Sequence, residues 1–353
     1  EHGPIECVFT RDEETGLTGA FEMQPGFMTG DYLINLDSED EGQLFVSCAG
    51  GVRTEATYTV DEEKLPEGFS TFNLVVKGLT GGHSGDDINK KRANANKLLV
   101  RFLLEQSEKT DLRLCDIQAG GLHNAIPREA HATVAVPTAY VATFGEELQA
   151  FVEKVRDEFS ATEPELTAVI EPVAAAPTCI CKEQAERLLK SLSVVHNGIF
   201  AMSQDLEGLV ETSSNLASVR KHGNQIVATT SQRSSVASNL EYMASVVRSA
   251  FELGGAKCVT NEGYPGWKMN PKSEILKVCV DSYKRLFGKD PLVRAIHAGL
   301  ECGLFSEKYP HLDMVSFGPT LRGVHSPDER LLIPTVQMVW DHLLDVLKNV
   351  PEK

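Results

Sequence analysis

The sequence predicts an α/β fold interrupted by an inserted α+β domain. Three observations carry this. The first 50 residues alternate strand-like and helix-like runs, the same texture returns after residue 263, and between them the order α-β-β-α-β occurs twice in succession. The division that follows is one discontinuous domain, 1–50 plus 263–353, and a second domain of two related halves at 51–262.

The elements justify this in order. Residues 5–10 are an apolar, strand-like run, and 17–28 suit a connecting helix weakened by Gly and Pro. "DYLINLD" (31–37) and "GQLFVSCAG" (42–50) are β-branched and aromatic enough for two buried strands. Strands are then expected at 52–60 and 70–78, followed by a helix at 91–108, strands at 112–119 and 129–136, a helix at 143–159 and a strand at 165–172. The second copy is a helix at 182–195, strands at 209–219 and 224–232, a helix at 236–254 and a strand at 256–262. Each half should form an antiparallel sheet covered by helices. Beyond 263, "SEILKVCVDSYKRLFG" is an amphipathic helix stopped by Gly288, "PLVRAIHAG" a strand running into a loop, and "LDMVSFGP" another buried strand. "PTVQMVWDHLLDVLKNV" is a last amphipathic helix with Pro334 near its start.

Charge and cysteine content exclude several classes. Among 353 residues, 50 Asp and Glu outweigh 34 Lys and Arg, a net charge of −16, which disfavours nucleic acid and anionic membrane as partners. No apolar run approaches the roughly 20 residues that a membrane span needs. The eight cysteines are dispersed without a C-x-x-C pair, so free buried thiols in a reducing cytoplasm are expected. The chain starts directly in "EHGPIECVFTRDEE", with neither an initiator Met nor a signal peptide, and the expectation is a domain incomplete at its N-terminus.

Chemistry concentrates at strand ends. Glu13 and Glu14 follow the first strand, Asp37 ends the next, and His325 lies in the Gly- and Pro-rich loop "SFGPTLRGVHSPDE" after a buried strand. In open α/β sheets, sites form at the carboxyl ends of strands. Glu, Asp and His are a ligand set for zinc or a similar divalent ion, and a cation would relieve the repulsion between adjacent carboxylates. Singly, each is also a common surface feature.

Together "TRDEETG", "INLDSEDEG", "GGHSG", "HNAIPRE", "HAGLECGLF" and "GPTLRGVHSPDE" occur in an order that resembles the co-catalytic di-zinc exopeptidases of the carboxypeptidase G2, aminoacylase and carnosinase group, and within it the aminoacyl-histidine dipeptidase branch. The resemblance implies a three-layer zinc-exopeptidase-like catalytic domain with a lid. It implies two divalent ions, zinc with cobalt or manganese as substitutes, and hydrolysis of Xaa-His dipeptides of the carnosine kind by a metal-bound hydroxide. By this likeness Glu13 is the general base, and Glu14, Asp37 and His325 are metal ligands. His83 reaches over the site to the oxyanion, while Asn124, Arg233 and Gly299 hold the substrate's terminal carboxylate. A small peptide is the expected partner, with a homodimer possible. Two alternatives are a related N-acyl amino acid deacylase or tripeptidase, and a metal-free binding relative. The chain departs from the group's pattern in one respect: a His-x-Asp motif and a metal-bridging Asp are not found before Glu13. On that ground an N-terminal part is expected to be missing and this chain alone to be inactive.

Overall fold

The computed structural model describes residues 2–13, 17–324 and 328–351. The first elements are α1 (Thr18–Glu22), β1 (Tyr32–Asn35), β2 (Gln43–Cys48), β3 (Gly50–Thr59), β4 (Glu62–Lys64), β5 (Phe69–Lys77) and β6 (Gly82–His83). Next come α2 (Ala95–Lys109), β7 (Arg113–Gly120), β8 (Ala125–Ile126), β9 (Ala130–Pro137), α3 (Val141–Glu158), β10 (Thr167–Pro172) and β11 (Thr178–Ile180). The second copy follows as α4 (Lys182–Val194), β12 (Gly198–Met202), β13 (Val210–His222), β14 (Gln225–Ser234), α5 (Ala237–Leu253) and β15 (Lys257–Thr260). The chain closes with α6 (Glu274–Phe287), β16 (Leu292–Ile296), α7 (Glu301–Lys308), β17 (Asp313–Ser316), β18 (Leu321–Arg322), β19 (Arg330–Leu331) and α8 (Ile333–Asn349).

Two expectations near the start fail. Residues 5–10 form no strand; Phe9 is 92 % exposed, and the segment is tied instead through the Glu6 carboxylate, which accepts from the backbone and hydroxyl of Thr29. An apolar run becomes a strand only when a ladder partner lies beside it, and periodicity does not reveal the partner. The helix expected over 17–28 shrinks to α1, because Met23 turns extended ahead of the Pro25-Gly26 pair.

A four-stranded sheet runs β1-β17-β2-β16, with β1 parallel to β17 and β2 parallel to β16. Helix α6 packs on it, capped by Ser273 Oγ at its start and closed, as the sequence predicts, by Gly288 at φ 70°. A second sheet has nine strands in the order β10-β5-β9-β7-β13-β14-β3-β15, with β12 added on β13, and all its pairings are antiparallel. The two predicted halves are thus fused. They meet where Ser218–Arg220 of β13 pair with Gln118–Gly120 of β7. Strand β3, although it precedes the first half in sequence, belongs to the second half, between β14 and β15. One core lies under both halves: Phe102 of α2, Phe144 of α3, Leu188 of α4 and Phe251 of α5 pack on Leu74, Leu114, Val134, Leu216 and Ala228.

The chain passes between the sheets twice, at residues 49–51 and 263–267, and the two crossings run antiparallel. Cys48 exchanges backbone hydrogen bonds with Trp267, and Gly51 with Tyr264. A side chain on Gly50 would collide with the Pro265–Gly266 backbone. These crossings hold one edge of the large sheet against the carboxyl end of β2 and β16.

Candidate active site at the junction of the two sheets

The ribbon β6–β8 brings two expected residues together. His83 pairs with Ala125, and Ser84 N–H donates to the Asn124 carbonyl at 2.8 Å. The loop that carries His83 is pinned at both ends by one buried carboxylate: Glu163 accepts from Thr80 N at 2.6 Å and from Ala93 N at 2.8 Å. Inside it, Asp87 accepts from His83 N–H at 2.8 Å and pairs with Lys90 and Arg92. Gly82 sits at φ 141°, where an added Cβ would strike Arg92 and Asp87, so only glycine serves there.

The His83 ring is oriented by Asp86. The Asp86 N–H points at Nδ1 (3.2 Å), and its carboxylate lies 3.4 Å from the same nitrogen; this contact holds Asp86 below its ordinary pKa. Neutral with Nδ1 accepting, or charged against the carboxylate, the ring keeps Nε2–H available as a donor.

Arg233, the penultimate residue of β14, lies directly opposite Ser213 of β13, so both side chains leave the same face of the sheet. Arg233 is buried; its Nη1 donates to the Tyr264 hydroxyl at 2.8 Å, and its Nε has no partner among the described residues. Gly299 lies flat on that same Tyr264, whose Cε2 would be 2.9 Å from a Cβ at 299. Arg233 also bears on His123, which it and Arg53 help burial to hold below its ordinary pKa. His83, Asn124, Arg233 and Gly299, which lie as much as 216 residues apart in sequence, therefore share one neighbourhood.

The acidic edge is described in part. Glu14 and His325 lie outside the described residues. Glu13 is half-buried, and its carbonyl accepts from Leu17 N–H. Asp37 follows β1, exposed, with its N–H on Asn35 Oδ1 at 3.1 Å. Among the described residues no three His, Cys, Asp or Glu side chains are grouped to hold an ion. Sequence reasoning missed Glu301, which opens α7 two residues after Gly299. Its carboxyl is buried, and among the described residues Oε1 has no hydrogen-bond partner. Burial raises its pKa; a hydrogen bond with Thr10 lowers it, and the Asp37 charge raises it further. A buried carboxyl oxygen without a partner, beside a carboxylate at a strand end, is an oxygen-rich setting that suits a divalent cation. The motif "HAGLECG" contained the signal, since a Glu between Leu and Cys in an apolar run must be paired or protonated when buried.

The other titratable groups argue for packing. Cys48, Cys179, Cys279 and Cys302 are buried and the eight thiols are free, with burial pushing Cys48 to about 11 and Cys279 to about 12. A 220 Å³ cavity lined by Trp267, Lys268, Asn270 and Asp313 lies at the amino end of α6 and contains none of the expected site residues.

Residues 67–166, which run from β5 through α3, match the model of the peptidase dimerisation domain of the M20 group. The cytosol non-specific dipeptidase of Escherichia coli (strain K12) is 41 % identical over 352 residues, covering 100 % of this chain and 73 % of that protein. The chain belongs to the M20 peptidase family. The solved structure of aminoacylhistidine dipeptidase from Vibrio alginolyticus superimposes with a TM-score of 0.96 at 42 % identity, over 100 % of this chain and 72 % of that one. This M20 chain therefore has the fold that the motif order implied, while the matches do not support the expected absence of an N-terminal part. M20 peptidases are typically dinuclear metal enzymes. Among the described residues no helix is long and apolar enough to cross a membrane.

Proposed function

We propose that this protein is a metal-dependent dipeptidase of the cytoplasm that cleaves Xaa-His dipeptides. The observation that carries the reading is the convergence of His83, Asn124, Arg233 and Gly299 beside the Asp37–Glu301 edge. Its relatives' names, a cytosol dipeptidase and an aminoacylhistidine dipeptidase, agree with it. Neither the deacylase nor the metal-free alternative is favoured by those matches.

In this reading residues 1–50 plus 263–353 are the catalytic domain, and 51–262 are the lid. Glu14, Asp37 and His325 would hold a pair of divalent ions, zinc in the first instance. When bound, such ions lower the pKa of water toward neutrality and so provide a nucleophile. The protein's own groups do the rest. Glu13 takes a proton from the attacking water and delivers it to the leaving amine. His83 Nε2–H faces the carbonyl oxygen and donates to it as charge develops. The Arg233 guanidinium, with Asn124 and the backbone at Gly299, fixes the free carboxylate of the C-terminal residue, which sets the scissile bond at a constant distance and selects short peptides. A substrate lacking that carboxylate loses its anchor. The matched dimerisation domain makes a homodimer the proposed assembly.

The test is Glu13→Gln in zinc-loaded protein, with carnosine and a non-histidine dipeptide as substrates. Turnover should fall by about 10²–10⁴-fold with zinc content unchanged. Normal turnover in that variant would remove Glu13 as the base, and wild-type protein that cleaves N-acetyl amino acids but no dipeptide would overturn the substrate class.

A further inference from the structure

His297 is buried at the junction and contacts both sheets, and the mechanism above gives it no role. It follows β16 and is 6 % exposed. The carbonyls on either side of it, Ile296 O and Ala298 O, both accept from Ala49 N–H at 3.1 Å, which nails the turn to the small sheet. Its ring reaches the large sheet: Nε2 lies 2.7 Å from Ser213 Oγ, and the imidazole also hydrogen-bonds the backbone of Val210. Its own carbonyl abuts Gly85, where any Cβ would collide with it and would lie 3.1 Å from His83 Cε1.

Three parts of the fold therefore meet at this residue and the turn that holds it. Gly85 and His83 come from the first half of the lid. Val210 and Ser213 come from the second half, with Ser213 opposite Arg233 in the ladder. Ala49 comes from the small sheet. A ring between a hydroxyl and a backbone group meets both when it is neutral, with one nitrogen accepting and the other donating. A neutral ring can also lie beside the Arg233 guanidinium without repulsion, which a Lys or Arg at this position could not do.

We infer that His297 is a positioning residue: it locks both halves of the lid to the catalytic domain and thereby sets Arg233 where it meets the substrate carboxylate. It touches no reacting atom, and the inference rests on the reading of Arg233 as the carboxylate grip.

The experiment compares L-histidine with L-histidinamide as competitive inhibitors of carnosine hydrolysis by the zinc-loaded protein. The preference for the carboxylate over the amide is the readout, since a general loss of packing does not single out one end of the ligand. Wild type should favour histidine clearly. Arg233→Met should erase the preference. His297→Ala and Ser213→Ala should each shrink it roughly 10-fold, the scale of a misaligned charge-assisted hydrogen bond. His297→Gln, which can still accept from Ser213 and donate to Val210, should restore much of it. No preference in wild type, or a preference that survives Arg233→Met, sinks the grip reading itself. A preference erased by Arg233→Met but untouched in His297→Ala overturns this inference alone. If His297→Ala does not fold, an unchanged preference in Ser213→Ala has the same force.

Discussion

At the scale of single residues, burial decides which groups can change charge. His297 is pushed down to about 3 from its ordinary 6.5, first by burial and then by the Arg233 charge. The unfolded chain takes up that proton below 6.5 and the folded chain does not, so folding stability falls as pH drops from about 6.5 toward about 3. The slope from this residue is at most about 1.4 kcal/mol per pH unit. Urea unfolding at pH 7 and pH 5 should show the loss in wild type and a smaller one in His297→Gln. Equal losses in both would mean that His297 does not stay neutral. His83 makes a different prediction. On the proposed role as oxyanion donor, His83→Ala in zinc-loaded protein should keep its zinc while turnover falls about 10²–10³-fold, the usual cost of one such donor. Zinc analysis alongside steady-state rates checks both halves. His83 was singled out only through the resemblance that "GGHSG" helps to carry, since the residues alone fit an ordinary turn histidine. Glu301 carried a signal in its apolar setting that went unused, and His297 carried none, because "HAGLECG" does not tell which way its histidine turns.

Elements explain why the grips stay in register. The longer helices were legible because their apolar positions recur with helical spacing and some ends carry signals, as with Gly288 of α6, whereas α7 was missed. Sequence does not reveal Lys97, which leaves α2 to close the carboxyl end of α4 by donating to Leu192, Ser193 and Val195 carbonyls at 2.9, 2.6 and 2.9 Å. Burial lowers its pKa to about 8, and it remains mostly charged at neutral pH. Lys97→Met keeps the stem and strands three carbonyls, and it should cost about 1–3 kcal/mol in urea unfolding. A cost near zero would show that water replaces the ammonium freely. Strand pairing was the weakest part of the reading. The lone run at 5–10 promised a strand that has no ladder. Strand β3 joined the half to which its sequence position did not assign it. Pairing partners are chosen by packing over long separations, and a local pattern records only which face is apolar.

Across the whole molecule, the two crossings at 49–51 and 263–267 form a narrow joint between the sheets. Gly50 and Gly266 lie back to back in it, each so close that a Cβ on either would meet the backbone of the other. Gly50→Ala should therefore lower the melting temperature and reduce turnover together, because the same joint aligns Tyr264 with Arg233 and Gly299. A variant that melts like wild type yet loses turnover would separate the two effects and locate the fault in alignment.

The seam between β7 and β13 has one more consequence. It joins the half that carries His83 and Asn124 to the half that carries Arg233 within a single covalent polypeptide. Tethered groups meet at an effective concentration that dilution cannot alter. Specific activity should then hold constant as the protein is diluted past the point where any homodimer dissociates. A fall that tracks dissociation, measured by sedimentation at the same concentrations, would mean that a neighbouring copy supplies part of what the seam already brings together.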